Sequence, residues 1–117
     1  MVHDNNCIFC KFIKGEIPVK FIYESDNFVA FLDANPKVDG HTLLIPKSHF
    51  VNLMDLPESL GRELIEGIKA VAEMRLKEGF EGFNIVSNNF SAAGQVVMHS
   101  HLHILPRRKD DGFDLVL

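Results

Sequence analysis

The chain has 117 residues, a net charge of −4, and 46% hydrophobic against 24% charged residues, the make-up of one ordinary globular domain spanning 1–117. An acidic balance argues against binding nucleic acid through its phosphates, which calls for a basic surface. No apolar run approaches the roughly 18 residues of a membrane span, and Met1 to Asn6 does not read as a signal peptide, so the expectation is a cytoplasmic protein with no membrane partner.

Residues 8–14 predict a short helix stopped by Gly15. Residues 20–23 and 27–32 read as two strands joined by the turn Glu24-Ser25-Asp26. After a loop at 35–40, residues 41–45 form a third strand that stops at Pro46. Asp55, with Glu58 three positions on, predicts a capped start to one long helix running to about Lys77. Leu60, Leu64, Ile68, Val71 and Arg75 mark its inner face, and Gly79 ends it. Residues 83–87 and 98–105 read as the last two strands, separated by the small polar loop 88–94. The order α-β-β-β-α-β-β, with its hairpin and short links, predicts an α+β fold: a five-stranded antiparallel sheet with one long and one short helix on one face. An exposed sheet edge on so small a core points to a homodimer that extends the sheet.

The most informative stretch is His99-Ser100-His101-Leu102-His103, which holds three of the six histidines. On an extended strand the three imidazoles share one face. Interleaved apolar residues argue against a simple metal-sequestering tract. Alternate strand residues lie about 6.6 Å apart, so three rings do not converge on one ion without a bulge, and a division of labour is expected. Cys7 and Cys10 form a C-x-x-C pair, read as half of a metal site, a redox pair or incidental cysteines; further ligands have to come from elsewhere.

His-Ser-His-Leu-His-Ile-Leu at 99–105, Gly40 to His49, and Cys7-Ile8-Phe9-Cys10-Lys11 together resemble the histidine triad (HIT) hydrolases and transferases, in order and over nearly the whole chain. Ser100, where the family favours an apolar residue, is a small departure. The resemblance implies hydrolysis or transfer of a nucleoside monophosphate from purine nucleotide conjugates such as phosphoramidates and dinucleoside polyphosphates. It implies that His101 attacks the α-phosphorus, that His103 holds phosphoryl oxygens and that His41 tunes or relays a proton, with no catalytic metal required. Asp33 would accept from the ribose hydroxyls, Asn88 and Gln95 would contact phosphate, and Phe9, Phe12 and Phe31 could wall the base. It further implies a structural zinc on Cys7, Cys10, His49 and His99. Val96 stands where phosphoramidase members place a hydroxyl residue, and valine has no proton to give a leaving group. The chain also ends without the longer C-terminal segment of many relatives. Two competing readings are a nucleotide- or zinc-binding regulatory module with little catalysis, and a hydrolase with a catalytic ion on the triad.

Overall fold

The computed structural model describes residues 1–117. The chain folds into one five-stranded antiparallel sheet with two helices. In chain order the elements are α1 (Ile8–Ile13), β1 (Tyr23–Glu24), β2 (Phe28–Leu32), β3 (Thr42–Pro46), α2 (Gly61–Lys77), β4 (Gly82–Val86) and β5 (Leu102–Arg107). Strand order is β1-β2-β3-β5-β4, so the last strand inserts between β3 and β4. All neighbours pair antiparallel, and β3 meets β5 through Thr42 with Ile104, Leu43 with His103 and Leu44 with Leu102.

The helices do not share a face, as the sequence had suggested. Val29, Phe31, Leu43 and Ile45 pack under α1 with Phe9 and Cys10. The alternate residues Phe28, Ala30, Leu44 and Ile104 pack under α2 with Val71, Ile68 and Leu64. Side chains alternate across a strand, and β2 and β3 are buried at nearly every position, so apolar residues emerge on both faces and each face needs its own cover. The short helix covers one, and the long helix covers the other with the stripe read from its sequence.

Three boundaries differ from expectation. α2 begins at Gly61 after a 3₁₀ turn at Glu58–Leu60. The Asp55 carboxylate caps no helix and instead accepts the Val51 N–H at 3.0 Å, because Pro57 holds an extended conformation between Asp55 and the helix. β1 is only Tyr23–Glu24, and its hairpin turn is tied down from α2: Glu63 accepts from Ser25 Oγ at 2.5 Å and from Asn27 N and Nδ2 at 2.7 and 2.8 Å. β5 begins at Leu102, leaving His99 and His101 on the irregular approach to the strand.

Leu44 is 1% exposed at the centre of the α2-side core. Leu44→Ala leaves a cavity there and should cost about 2–5 kcal/mol in chemical denaturation with the fold retained.

Candidate active site and metal-ligating cluster

The β3–β5 pairing sets His41, the residue just before β3, beside His103, which is 62 positions away in sequence. Their rings meet at 2.9 Å between His41 Nε2 and His103 Nδ1. His41 Nδ1 accepts the Lys37 main-chain N–H at 3.0 Å. The network therefore puts the His41 proton on Nε2, where it is donated to His103 Nδ1. His103 is left with an Nε2–H that has no protein partner. Asp33, just past β2, lies 3.4 Å from His41 Nε2 through Oδ2, while its Oδ1 accepts the Asn35 N–H at 2.9 Å. Asp33, His41 and His103 also lie close enough to share a metal. The Lys37 amide opposes that, because His41 Nε2 keeps its proton for as long as Nδ1 serves as acceptor.

His101 is oriented by the main chain. Its Nδ1–H donates to the His99 carbonyl at 2.7 Å, which assigns that nitrogen's proton and leaves Nε2 as the ring nitrogen without a protein partner. The Phe9 ring stands edge-on to His101, 5.4 Å between centroids. His99 turns away into the core, fully buried. Its Nε2 donates to the Pro46 carbonyl at 2.8 Å, and its Nδ1 approaches Cys7 Sγ at 3.3 Å and Cys10 Sγ at 3.5 Å. His49 Nδ1 lies 3.4 Å from Cys10 Sγ. The four candidate ligands from three separate segments thus converge into a group whose donor atoms all lie within 4.8 Å of one another and could hold a metal ion.

Burial sets the charge states. It pushes His103 down to about 4, reinforced by the neighbouring His101 and His41, and it lowers His41 despite the opposing Asp33 carboxylate. It also pushes His99 down to about 4, against the Pro46 carbonyl, and raises the Cys7 thiol. Burial thus favours the neutral form of His103 and His41 in one cluster and of His99 in the other.

A pocket of about 740 Å³ opens beside these groups and is lined by Asp33, Lys37, His41, Asn88, His101 and His103 among others. Phe9, Phe12 and Phe31 line it too, with centroids 5.3–6.0 Å apart and Phe31 edge-on to the other two, so they serve the core and the pocket together. Gln95 does not reach it. Its side chain is buried and fully engaged: Oε1 accepts the Phe90 N–H at 2.8 Å, and Nε2 donates to the carbonyls of Val51 and of Val97, the latter at 3.1 Å. It braces the 87–98 loop, including Phe90 at a left-handed φ of 70°. Val96 and Val97 line the pocket from that loop, and their amides donate to no protein acceptor. Sequence reading missed Lys37, which acts through its amide and so carries no residue signature. It also missed Phe113 and Leu115, which line the pocket from the tail; their alternation after Gly112 was the available signal.

A small antiparallel α+β sheet whose paired central strands carry a histidine cluster into a pocket defines the class. Residues 14–110 match the HIT domain model, and the chain belongs to that family. It is 49% identical over 91% of its length to an uncharacterized HIT-like protein of Methanocaldococcus jannaschii, of which it covers 82%. It is 41% identical over 92% of its length to an adenylylsulfatase of Arabidopsis thaliana, spanning about half (55%) of that longer protein. It is 36% identical over 94% of its length to an adenosine 5′-monophosphoramidase of Candida albicans, of which it covers 76%. Cys7 and Cys10 lie outside the matched segment. No helix is long and apolar enough to cross a membrane.

For a histidine held neutral in the fold, the unfolded chain takes up protons first as pH falls, so stability is present above 6.5 and is lost between 6.5 and about 4. NMR titration should find the His103 ring neutral until pH approaches 4, and His103→Asn should flatten part of the acid loss of stability. A His103 ring that titrates near 6.5 would contradict this account.

Proposed function

We propose that the chain is a nucleotide hydrolase or nucleotidyl transferase acting at the α-phosphate of purine nucleotide conjugates through a nucleotidyl-histidine intermediate. The observation that carries this reading is the 2.7 Å bond from His101 Nδ1 to the His99 carbonyl, which leaves Nε2 as the ring nitrogen available to the pocket that His101 lines. Nε2 attacks the α-phosphorus, and the leaving group departs with the bonding electron pair. Water then displaces Nε2 from phosphorus, so one displacement becomes two easier ones. His103 Nε2–H donates to a phosphoryl oxygen and is oriented by His41, which the Lys37 amide orients in turn. The Val96 and Val97 amides and Asn88 serve the remaining phosphoryl oxygens. Asp33 accepts from the ribose hydroxyls, and the Phe9, Phe12 and Phe31 edges flank the base. Each step is completed by these side chains and needs no catalytic metal. The M. jannaschii relative has no named activity; the plant and yeast relatives, named for adenylyl-sulfate and phosphoramidate chemistry, support the general class.

Cys7, Cys10, His49 and His99 fit a structural zinc. A tetrahedral ion with sulfur at about 2.3 Å and nitrogen at about 2.0–2.1 Å implies S···N edges near 3.5 Å, and the three measured edges are 3.3, 3.4 and 3.5 Å. The ion would bind the two buried cysteines as thiolates, releasing their protons and balancing their charge, and would tie the N-terminal segment to the sheet. We also infer a cytoplasmic homodimer, because the edge strand β4 leaves Phe83 and Ile85 about 40% exposed. Static light scattering at micromolar concentration should give twice the chain mass, and a monomer mass rejects this.

His101→Asn should lower turnover of adenosine conjugates by a factor of 10³ or more, on the order seen when a covalent nucleophile is lost, and should abolish the nucleotidyl-enzyme mass adduct while nucleotide binding persists. Unchanged activity would favour a binding module instead. Elemental analysis of untagged protein should find close to one zinc per chain, and Cys7→Ser should lower both metal content and melting temperature. Native protein free of metal and indifferent to chelator would remove the zinc assignment and leave the nucleophile untouched.

A further inference from the structure

A fifth histidine stands beside the cluster of Cys7, Cys10, His49 and His99. The segment before α1 runs over that cluster and is held on both sides of His3. The Val2 N–H donates to Ser48 Oγ at 3.1 Å, and the Val2 carbonyl accepts the His49 N–H at 2.7 Å. One residue past His3, the Asp4 N–H donates to Cys10 Sγ at 3.4 Å. The Asp4 carbonyl then accepts the Cys7 N–H at 3.1 Å. The peptide group entering His3 is thus bonded to His49, and the one leaving it to Cys10.

The His3 ring has a nitrogen to offer. Its Nδ1 is shielded from solvent and has no hydrogen-bond partner. Buried ring nitrogens are ordinarily paired, because leaving one unpaired forfeits its hydration for nothing. Like-charge repulsion links His3 to His49 and to His99, so the three rings share one neighbourhood. Residues 1–6 belong to no helix or strand, and Met1 and Val2 are exposed. A shift of His3 toward the cluster therefore breaks no helix or sheet hydrogen bond.

The four ligand-capable residues are not equally held. Cys7, Cys10 and His99 are buried, whereas His49 is half-buried. His99 has its second nitrogen on the Pro46 carbonyl at 2.8 Å, the kind of outer bond that fixes a ligating ring. His49 has no such bond: its Nδ1 faces Cys10 Sγ, and its Nε2 meets no protein group. His49 is also the residue that the arm reaches through its main-chain N–H. A closed tetrahedral site keeps no open position for an incoming group, so its metal enters or leaves only as one ligand is exchanged for another. The ligand most readily exchanged is His49, and His3 is the unpartnered imidazole beside it.

We propose that His3 is an exchange ligand of this site, able to replace His49 on the metal and so to govern metal entry and release. This rests on the reading of the cluster as a zinc site. In the exchange, the bond from His49 Nδ1 to the ion breaks and a bond from His3 Nδ1 forms. Both rings bind as neutral imidazoles, so no proton is taken up or lost. The donor set remains two thiolates and two imidazoles before and after.

The test uses the untagged full chain and the variants His3→Gln, His49→Gln and the two combined. His49→Gln should keep close to one zinc per chain by elemental analysis, and the combined variant should lose most of it. His3→Gln should keep its zinc and yield it to the chelator pyridylazoresorcinol several-fold more slowly than the unaltered chain. Cobalt(II) gives a second readout. His3→Cys combined with His49→Gln should raise the thiolate-to-cobalt absorption by about half over the unaltered chain, three thiolates against two. Equal zinc loss from His49→Gln and the combined variant, unchanged or faster release from His3→Gln, or cobalt absorption left at the two-thiolate level overturns the proposal. Close to one zinc in the unaltered chain alongside any of those results rejects this inference alone, whereas an unaltered chain that holds no zinc and ignores chelator rejects the zinc reading as well.

Discussion

The ladder between Thr42–Leu44 and Leu102–Ile104 is the contact on which the remaining architecture depends. It joins segments some 60 residues apart and places β5 between β3 and β4 rather than at the edge. With that insertion, His41 reaches His103, the loop before β5 stands over the sheet, and the residues after β5 return beside the same opening. Because both strands are interior, their apolar residues emerge above and below, and burial on each face contributes on the order of 25 cal/mol per Å² of apolar surface. α1 is only six residues long and too short to be stable alone. It holds because Phe9 and Cys10 have that second face to cover.

The three neighbouring histidines occupy three different electrostatic settings. His99 donates to a carbonyl and presents its other nitrogen to sulfur. His101 donates to a carbonyl and presents its other nitrogen to the pocket. His103 accepts from another imidazole and presents an N–H. One residue type at two-residue spacing thus yields a sulfur-facing nitrogen, a pocket-side nitrogen without a protein partner and a hydrogen-bond donor. The difference comes from which partner each second nitrogen meets. Burial keeps His99 and His103 neutral, and without that the row would repel itself.

Much of this was legible in the chain. The apolar stripe at 60, 64, 68 and 71 gave the inner side of α2, and the strands lie within a few residues of their expected ends, although of the triad only His103 lies on a strand. The β2 and β3 runs, apolar at consecutive positions, already carried the sign of a sheet covered twice. The expectation of one covered face followed instead from the hairpin and short links, which point to an antiparallel sheet. Asp55 looked like a cap because the local pattern of acid and glutamate is right, but Pro57 separates it from the helix and a nearer amide claims it. Gln95 was misplaced for a related reason. An amide side chain next to a glycine loop suits phosphate, and only the tertiary position of Val51 and Val97 reveals that its hydrogen-bonding capacity is already taken. Interactions made by main-chain atoms, such as the Lys37 amide and the Pro46 carbonyl, leave no trace in residue identity.

The acceptor that aims the His101 ring is a peptide carbonyl, and this has an evolutionary consequence. No substitution at position 99 can delete that atom; a point change can only shift it. The Ser100 amide, bound to the Phe50 carbonyl at 2.6 Å, helps to hold the segment in place. The side chain at 99 and the peptide group at 99 can therefore follow separate histories. A lineage can exchange the sulfur-facing ring for some other packing and keep the pocket-side nitrogen of His101 in the same orientation, so long as the backbone keeps its course.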